Sequence, residues 1–272
     1  FKAGDYFYMS DLHPEQTTAN ARDYSFKRPW GIPVRYHDFR KILAKSNPDF
    51  LEFHMSYKDL DVDISEYFTE AYDLDLVVHS PDTFPGDHLL SPSHPDAEHR
   101  RRSLQELQRV IDVTRSLMPF FKKANKPLII ASMGGFTRDR FLRPIERLKR
   151  YQLLAESLTQ LDTADVEIIP QTLPPFPWYF GGQLYLNLFV DPEDMVSFCR
   201  EYGYRLCFDI SHAKLACNHF KWSFREYIEQ VGPYSAHLHI ADAKGVDGEG
   251  LQIGDGEVDF PSLAADLQIT AP

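Results

Sequence analysis

The chain has 272 residues, of which 43% are hydrophobic and 25% are charged, as in a folded globular protein rather than a disordered one. Its formal net charge of −11 opposes attraction to nucleic-acid phosphates and to anionic membrane surfaces, so neither is expected as a partner. Cys199, Cys207 and Cys217 form no C-x-x-C pair, which indicates neither a disulfide framework nor a zinc knuckle and favours a cytoplasmic location.

Residues 1–27 are polar and aromatic and show no helical period. We expect them to form an N-terminal arm or linker, the tail of a preceding domain, because the chain opens on Phe1 rather than on a native start. A short strand at residues 5–9 that pairs with an open sheet edge is the alternative. Residues 28–272 then form one domain, with the upstream domain as its covalent neighbour.

From about Val34 onward, apolar strand-like runs alternate with helical patterns, which predicts a parallel sheet built from β-α units. The predicted strands are 34–37, 50–55, 76–79, 128–131, 166–169, 205–208 and 236–240. The predicted helices are 38–45, 65–72, 96–123, 144–161, 192–201, 224–231 and 261–267. Seven such units are one short of a closed (β/α)8 barrel, so we expect an α/β TIM barrel that lacks its eighth strand in this chain.

A dense basic stretch, Arg100-Arg101-Arg102, opens the helical pattern at 96–123. The apolar stripe of that helix includes Leu104, Leu107 and Ile111. We therefore interpret the three arginines as a solvent-exposed helix face rather than as a phosphate site.

Polar residues cluster where the predicted strands end, which is where the active sites of TIM barrels lie. These residues are Glu52, His54, His79, Ser132, Gln171, Asp209, His212, His239 and Asp242. So many titratable groups aimed at one axis favour a functional site over isolated buried hydrogen bonds. Carboxylate and imidazole ligands on adjacent strand ends are typical of divalent-cation sites, which makes Asp209, His239, His212 and His79 the candidate metal ligands.

Glu52 and His54 alternate with apolar neighbours, so both point into the barrel, either toward a substrate or as a buried polar network. His237 and His239 share one face of their strand, and one of them could be a core residue.

Two loops complete the set of candidates. The loop at 170–183 holds four prolines and four aromatic residues, and Phe176 and Trp178 in it suit stacking on a sugar ring, although packing on the loop's own helix is the alternative. The glycines of the loop at 245–256 permit close approach to a ligand. Glu249 in the same loop argues against a strongly charged anion there.

Several motifs resemble those of the xylose-isomerase-like barrel superfamily, which contains family 2 AP endonucleases of the endonuclease IV type and sugar epimerases. They are Phe208-Asp209-Ile210-Ser211-His212, His239-Ile240-Ala241-Asp242, Val78-His79-Ser80-Pro81 and Ile253-Gly254-Asp255-Gly256-Glu257-Val258. The resemblance implies a divalent cation (Zn, Mn, Mg or Co) held by a strand-five Glu, a strand-six Asp, a strand-seven His and a strand-eight Glu. Asp209 and His239 match this pattern. Pro170-Gln171 stands where the strand-five Glu belongs, and the strand-eight Glu would lie beyond Pro272.

A narrower resemblance is carried by Arg28-Pro29-Trp30-Gly31-Ile32-Pro33-Val34-Arg35-Tyr36-His37 and by Pro174-Pro175-Phe176-Pro177-Trp178. Both segments are similar to the barrel appended to some bacterial sialic acid (nonulosonate) synthases. This resemblance implies that residues 1–12 end the preceding domain.

The first functional hypothesis is a metal-dependent isomerase or epimerase of a sugar or sugar phosphate in bacterial nonulosonate or surface-polysaccharide biosynthesis. In it His212, Glu249 and Gln171 act in catalysis, whereas Glu52, His54, Trp178, Phe176 and Asp242 contact the sugar. The alternative is a catalytically lapsed carbohydrate-binding or regulatory barrel fused to a sialic acid synthase, which Gln171 favours. Cleavage of DNA at abasic sites is disfavoured by the net charge and by the incomplete ligand set.

Overall fold

A computed structural model describes residues 28–180 and 182–267. Its strands are β1 (Gly31–Val34), β2 (Phe50–His54), β3 (Asp75–His79), β4 (Thr83–Phe84), β5 (His88–Leu89), β6 (Leu128–Ala131), β7 (Glu167–Pro170), β8 (Trp178–Tyr179), β9 (Gly182–Gln183), β10 (Leu206–Asp209), β11 (Ser235–His239), β12 (Asp242–Lys244) and β13 (Gly248–Leu251). Its helices are α1 (Phe39–Leu43), α2 (Ala97–Leu117), α3 (Pro144–Leu158), α4 (Pro192–Tyr202), α5 (Ile210–Phe220), α6 (Phe224–Val231) and α7 (Phe260–Asp266).

Seven of these strands are parallel and form the barrel wall. Strands β1, β2, β3, β6 and β7 pair in that order, and β10 pairs with β11. A parallel bridge between Gln171 and Cys207 joins the end of β7 to β10. Across the interior, Glu52 on β2 bonds His237 on β11. The predicted α/β TIM barrel is confirmed, and the described residues supply seven of its strands.

The barrel interior is layered. Alternate residues of a strand share a face, and four of the five buried apolar residues of the interior are followed two positions later by a polar residue. The four pairs are Val77 and His79, Ile130 and Ser132, Ile169 and Gln171, and Cys207 and Asp209. The apolar members pack together in the barrel, and the polar members lie at its C-terminal end. The larger apolar cluster lies between the strands and the surrounding helices.

The helix predicted at 65–72 is wrong. A single 3₁₀ turn, Ile64–Glu66, stands there, with the side chain of Asp63 capping its N-terminus. Tyr72 then forms a parallel bridge with Phe121, which draws the chain into an extended path instead of a second helical turn. Backbone pairing has overridden a weak local preference.

The predicted helices do not include α5, because Asp209 and His212 are considered there only as candidate ligands at a strand end. The Asp209 carboxylate accepts the His212 N–H and so begins the helix directly after β10. The buried residues Ile210, Ala213 and Cys217 follow at helical spacing. The signal was therefore present in the sequence.

Most other boundaries shift by a few residues for identifiable reasons. Helix α2 ends at Leu117 rather than at 123, because Pro119 stops it and the chain turns in a 3₁₀ helix. Strand β1 occupies 31–34 rather than 34–37, since the Arg35 N–H bonds the Asp38 side chain and the chain turns there.

The arm predicted over residues 1–27, including the strand considered at residues 5–9, lies outside the described residues. No helix within the described ranges combines the length and the apolar character that crossing a bilayer requires. Cys199, Cys207 and Cys217 are buried and free, and burial raises the pKa of each thiol, to about 12, 11 and 12 respectively.

Candidate functional site

Glu52 is the buried centre of a histidine cluster at the C-terminal end of the barrel. Its Oε1 lies 2.6 Å from His54 Nε2 and 2.9 Å from His239 Nε2, and its Oε2 lies 2.7 Å from His237 Nε2. Burial would raise the pKa of Glu52, but the charge of His239 and the hydrogen bonds from His237, His239 and His54 hold it well below its ordinary value. Glu52 is therefore an ionised carboxylate that three imidazoles share.

The predicted ligands Asp209, His239 and His79 meet around the Gln171 amide. Gln171 Nε2 donates to Asp209 Oδ2 at 3.0 Å and lies 3.0 Å from His239 Nδ1. Asp209 Oδ2 and His239 Nδ1 are themselves 3.4 Å apart, because Asp209 and His239 are register partners of β10 and β11. His79 Nε2 lies 2.9 Å from Gln171 Oε1.

The contact between His79 and Gln171 joins two hydrogen-bond acceptors. The Nδ1–H group of His79 donates to the Ser80 carbonyl at 3.0 Å. Burial lowers the pKa of His79 to about 3, and the charge of His54 lowers it further, so the ring is neutral and its Nε2 carries a lone pair. That lone pair faces an amide oxygen. Rotating the amide by 180° would let its NH2 donate to His79 and would turn its oxygen toward Asp209 and His239.

In that orientation three acceptors, Gln171 Oε1, Asp209 Oδ2 and His239 Nδ1, surround one point and favour a positive charge there. A proton on His239 can supply it. Burial would lower the pKa of His239, but Cys207, Glu52 and a hydrogen bond to Asp209 hold it well above its ordinary value. Burial likewise opposes ionisation of Asp209, yet His212 and His239 lower the pKa of its carboxyl to about 2.

His212 stands beside this group but is engaged elsewhere. Its Nδ1–H donates to the Thr172 carbonyl at 2.8 Å, and its Nε2 lies 2.9 Å from Glu249 Oε1. Burial would lower the pKa of His212, but Asp209 and Glu249 raise it to about 9. Two of the three predicted catalytic residues, His212 and Glu249, thus form one ion pair, in which the Glu249 side chain is half-exposed. With both ring nitrogens bonded, His212 does not serve as a metal ligand in this arrangement.

Asp82 is a member of the site that we did not predict. Its Oδ1 is buried without a hydrogen-bond partner among the described residues. Burial raises the pKa of Asp82, against the opposing effects of a hydrogen bond from Ser132 and the charge of His212. Ser132 Oγ also lies 3.4 Å from Gln171 Oε1, so one side chain connects Asp82 to the cluster. An acidic residue one position after the Ser80-Pro81 turn was the available signal.

Of the two aromatic residues predicted to contact substrate, Phe176 is packed inside its own loop. Phe176 packs in an aromatic group with Phe141, Tyr185 and His219, at ring-centroid distances of 5.2, 5.7 and 4.5 Å. This is the packed-loop alternative rather than a free stacking surface. Trp178 lies in β8, and its side chain is outside the described part of the structure.

Asp242 organises its own loop instead of facing a ligand. Its buried carboxylate accepts the backbone N–H groups of Ala243, Gly254, Gly256 and Val258 at 2.8–3.0 Å. A Cβ atom at Gly256 would lie 2.2 Å from Asp242 Oδ1, so the loop closes only around glycine there. The prediction that Asp242 binds substrate is corrected, because its acceptor capacity serves the backbone.

We expect Asp242→Ala to lower the free energy of unfolding by about 3 kcal/mol, because it leaves four backbone N–H groups without their acceptor. Urea titration of the variant measures the loss. Asp255→Ala, an exposed carboxylate of the same loop, is the matched control and is expected to change stability by under about 0.5 kcal/mol. Equal unfolding free energies for the two variants would contradict this role.

Two donor sets fit a divalent cation. Glu52, His54 and His239 are the only three His, Cys, Asp or Glu side chains in the described part of the chain whose ligand atoms lie within 4.8 Å of one another. Those atoms, however, are already matched as imidazole donors to a carboxylate. With the Gln171 amide rotated, Gln171, Asp209 and His239 instead form a group of three acceptors, to which either a proton on His239 or a cation supplies the positive charge. A Glu52 carboxylate behind His239 is the usual outer-shell arrangement of a metal-binding histidine.

A barrel whose catalytic-end cluster is built from strand-end carboxylates and imidazoles defines the class of this protein. Residues 41–270 match the family described as xylose isomerase-like TIM barrel, and the chain belongs to that family. An uncharacterized protein of Methanocaldococcus jannaschii, MJ1311, is 20% identical over 204 residues, which are 73% of this chain. The chain spans 62% of the length of that curated relative.

Solved structures show the same fold at low identity. A D-tagatose 3-epimerase-like protein has a TM-score of 0.62 at 18% identity, covering 90% of this chain and 88% of its own. An L-ribulose 3-epimerase has a TM-score of 0.54 at 15% identity, covering 88% and 77%. A family 2 AP endonuclease from Brucella melitensis has a TM-score of 0.57 at 12% identity, covering 88% of each chain.

Proposed function

We propose that the chain binds a divalent cation between Gln171, Asp209 and His239 and isomerises or epimerises a sugar beside it. The proposal rests on the contact between two hydrogen-bond acceptors, His79 Nε2 and Gln171 Oε1. Rotating the Gln171 amide removes this unfavourable contact and turns the amide oxygen toward the proposed cation. The atoms concerned are 3.0–3.4 Å apart, close to the spacing of roughly 3 Å between neighbouring ligands that bond a cation at about 2.1 Å.

The bound cation would polarise the carbonyl and hydroxyl oxygens of the sugar. Glu52 fixes His239 for this task, because the bond from His239 Nε2–H to Glu52 leaves Nδ1 for the site. His79 holds the Gln171 amide in place. The polar layer of the barrel is thus divided between residues that contact the ligand and residues that orient them.

Proton transfer at the sugar carbon requires a titratable group, which the Gln171 amide is not. We assign this task to Asp82 and to the His212–Glu249 pair. Asp82 offers an unpartnered carboxyl oxygen with a raised pKa. His212, with its pKa of about 9, is an imidazolium at neutral pH, and half-exposed Glu249 can exchange protons with solvent.

The test combines metal analysis with sugar turnover. Purified protein is expected to hold one divalent ion per chain and to introduce solvent deuterium into a ketose or an aldose. The deuterium exchange is measured by 13C NMR for each member of a panel of hexoses and their phosphates. Asp209→Asn keeps the helix cap but removes the charge, and it should weaken cation binding roughly 100-fold. Glu249→Gln should retain the cation and lose turnover. An Asp209→Asn variant with unchanged metal content would refute the assignment.

A second candidate function is sugar binding without turnover, as expected of a lapsed enzyme. The amide of Gln171 in place of a carboxylate is the specific observation that favours it. The same experiment separates the two, since retained sugar affinity with no deuterium exchange supports binding alone.

We further propose that the sugar belongs to bacterial nonulosonate or surface-polysaccharide synthesis in the cytoplasm, beside a sialic acid synthase domain. The motif at residues 28–37 supports this. Adding the synthase's sugar substrate and product to the full-length protein, with turnover followed by NMR, tests it, and inertness toward both sugars counts against it. Abasic-site cleavage stays disfavoured by the net charge of −11, and salt-dependent binding to duplex DNA would revive it.

A further inference from the structure

A cavity with two arginines against one aspartate in its lining, here called the basic cavity, lies beside the barrel mouth. Its volume is about 310 Å³, and it lies between the β4–β5 hairpin, the start of α2 and the loop after β6. The chemically active residues that line it are His88, His94, His99, Arg102, Arg138 and Asp87. None of them belongs to the cluster around Gln171.

Each of the three imidazoles uses one ring nitrogen to bond the protein. His88 Nε2 lies 3.0 Å from Ser103 Oγ, His94 Nδ1 accepts the Asp96 N–H, and His99 Nε2–H donates to the Leu89 carbonyl at 2.8 Å. The other nitrogen of each ring has no hydrogen-bond partner among the described residues. The rings also contact one another, with centroids 4.2 Å apart for His88 and His99 and 4.1 Å for His94 and His99.

The positive charges of the cavity are not balanced. Arg102 bonds the Pro85 carbonyl, and Arg138 has no hydrogen bond or ion pair within the described residues. The exposed Asp87 is the single carboxylate among the lining residues. Burial lowers the pKa of His88 to about 4, and the charges of His99 and Arg102 add to this effect. A bound anion would reverse that repulsion.

A metal ion does not suit this cavity. The one converging group of three His, Cys, Asp or Glu ligand atoms in the described ranges lies at Glu52, His54 and His239, not here. Two guanidinium groups would also repel a cation. The guanidinium donors and the free Nε2–H of His94, whose Nδ1 accepts the Asp96 N–H, instead suit phosphate and carboxylate groups.

The cavity adjoins the candidate site. Leu89 and Phe136 line it and also line a second cavity that reaches Asp82, Ser132 and Leu173. Ser132 is the residue that contacts Gln171. The second cavity measures about 20 Å³, room for one water molecule, so the two sites are neighbours linked through the side chains of Ser132 and Gln171 rather than by an open channel.

We propose that this cavity binds the anionic group, a phosphate or a carboxylate, of the sugar on which the barrel acts. The proposal rests on the function proposed above and narrows its substrate to acidic sugars. It revises the interpretation of Arg100-Arg101-Arg102 as a solvent-exposed face: Arg102 lines a binding cavity, while Arg101 pairs with Glu98 on the exposed face.

Calorimetric titration of the full chain with inorganic phosphate, D-glucose 6-phosphate, D-glucuronate and D-glucose tests the proposal. We expect phosphate to bind and at least one of the two acidic sugars to bind more tightly than glucose. The acidic sugar that binds distinguishes phosphate from carboxylate. Arg138→Gln should weaken binding about tenfold, the value of one charge-assisted hydrogen bond. Arg101→Gln, one residue before Arg102 and outside the cavity, should leave it unchanged.

Equal binding of the acidic and neutral sugars, or equal effects of the two arginine variants, would overturn the proposal. Failure of the isomerase or epimerase function proposed above is distinguished from failure of this proposal by a different variant. Asp209→Asn should weaken cation binding roughly 100-fold and abolish turnover yet leave phosphate affinity intact. A protein that binds phosphate through Arg138 but holds no cation would retain the basic cavity and lose the isomerase assignment.

Discussion

Glu52→Gln is expected to lower the free energy of unfolding by about 3 kcal/mol, the cost of breaking a buried charge network by removing one partner. The amide keeps one acceptor oxygen but turns an NH2 group toward imidazole donors from His54, His237 and His239. Urea titration measures the loss. Glu70→Gln, the same change at an exposed position, should alter stability by under about 0.5 kcal/mol.

The pH dependence of this difference gives an independent check. The pKa of Glu52 is lower in the folded protein than its ordinary value of 4.5, so its contribution is present above that pH and is lost as the pH falls toward the folded value. The gap in unfolding free energy between wild type and Glu52→Gln should therefore narrow below about pH 4.5. A gap that stays constant down to pH 3 would show that the carboxylate is not the source of the stability.

Gln171→Glu is expected to raise the affinity for a divalent cation about 100-fold or more, because it places a second carboxylate opposite Asp209. Without the cation, the same pair of like charges 3 Å apart should lower the free energy of unfolding by about 2 kcal/mol. Adding Mn2+ or Zn2+ should reverse that loss and raise the free energy of unfolding of the variant above that of the wild type without cation. Thermal unfolding with and without chelator records both effects.

Gln105→Glu makes the same chemical change on the exposed surface of α2 and should show neither effect. If Gln171→Glu is as stable as wild type in chelator and gains nothing from cation, no cation site exists at this position. If the variant gains deuterium exchange that wild type lacks, then glutamine at position 171 is the residue that inactivates a lapsed enzyme. The variant therefore also decides between the two candidate functions.

The barrel and the central residues of its candidate site could be predicted from the sequence, because the local pattern of apolar and polar residues determines both. Asp209 and His239 each follow an apolar run, and adjacent parallel strands necessarily align their ends. The same alternation predicted that Glu52 and His54 point inward. Layering in the interior, with an apolar residue two positions before His79, Ser132, Gln171 and Asp209, is a property of single strands and is visible in the sequence.

Other features depend on contacts that no local pattern encodes. Glu52 and His237 are 185 residues apart, and only barrel closure makes them partners. The basic cavity combines a hairpin, a helix start and a loop, so His88, His94 and Arg138 show no common period. Helix α5 is absent from the predicted helices for a different reason. The prediction considers Asp209 only as a candidate ligand, whereas its carboxylate also caps the N-terminus of α5.

Because Asp209 has two roles, an aspartate at this position in a homologue does not by itself indicate catalytic activity. Its Oδ1 begins helix α5, whereas its Oδ2 faces Gln171 and His239. Selection for folding alone would preserve this aspartate after activity had disappeared, so finding it in a homologue does not report turnover. Position 171 carries no helix cap and is free to drift once chemistry is abandoned. If Gln171→Glu gains turnover that wild type lacks, glutamate or glutamine at that position becomes the informative character for sorting active from inactive members of the lineage.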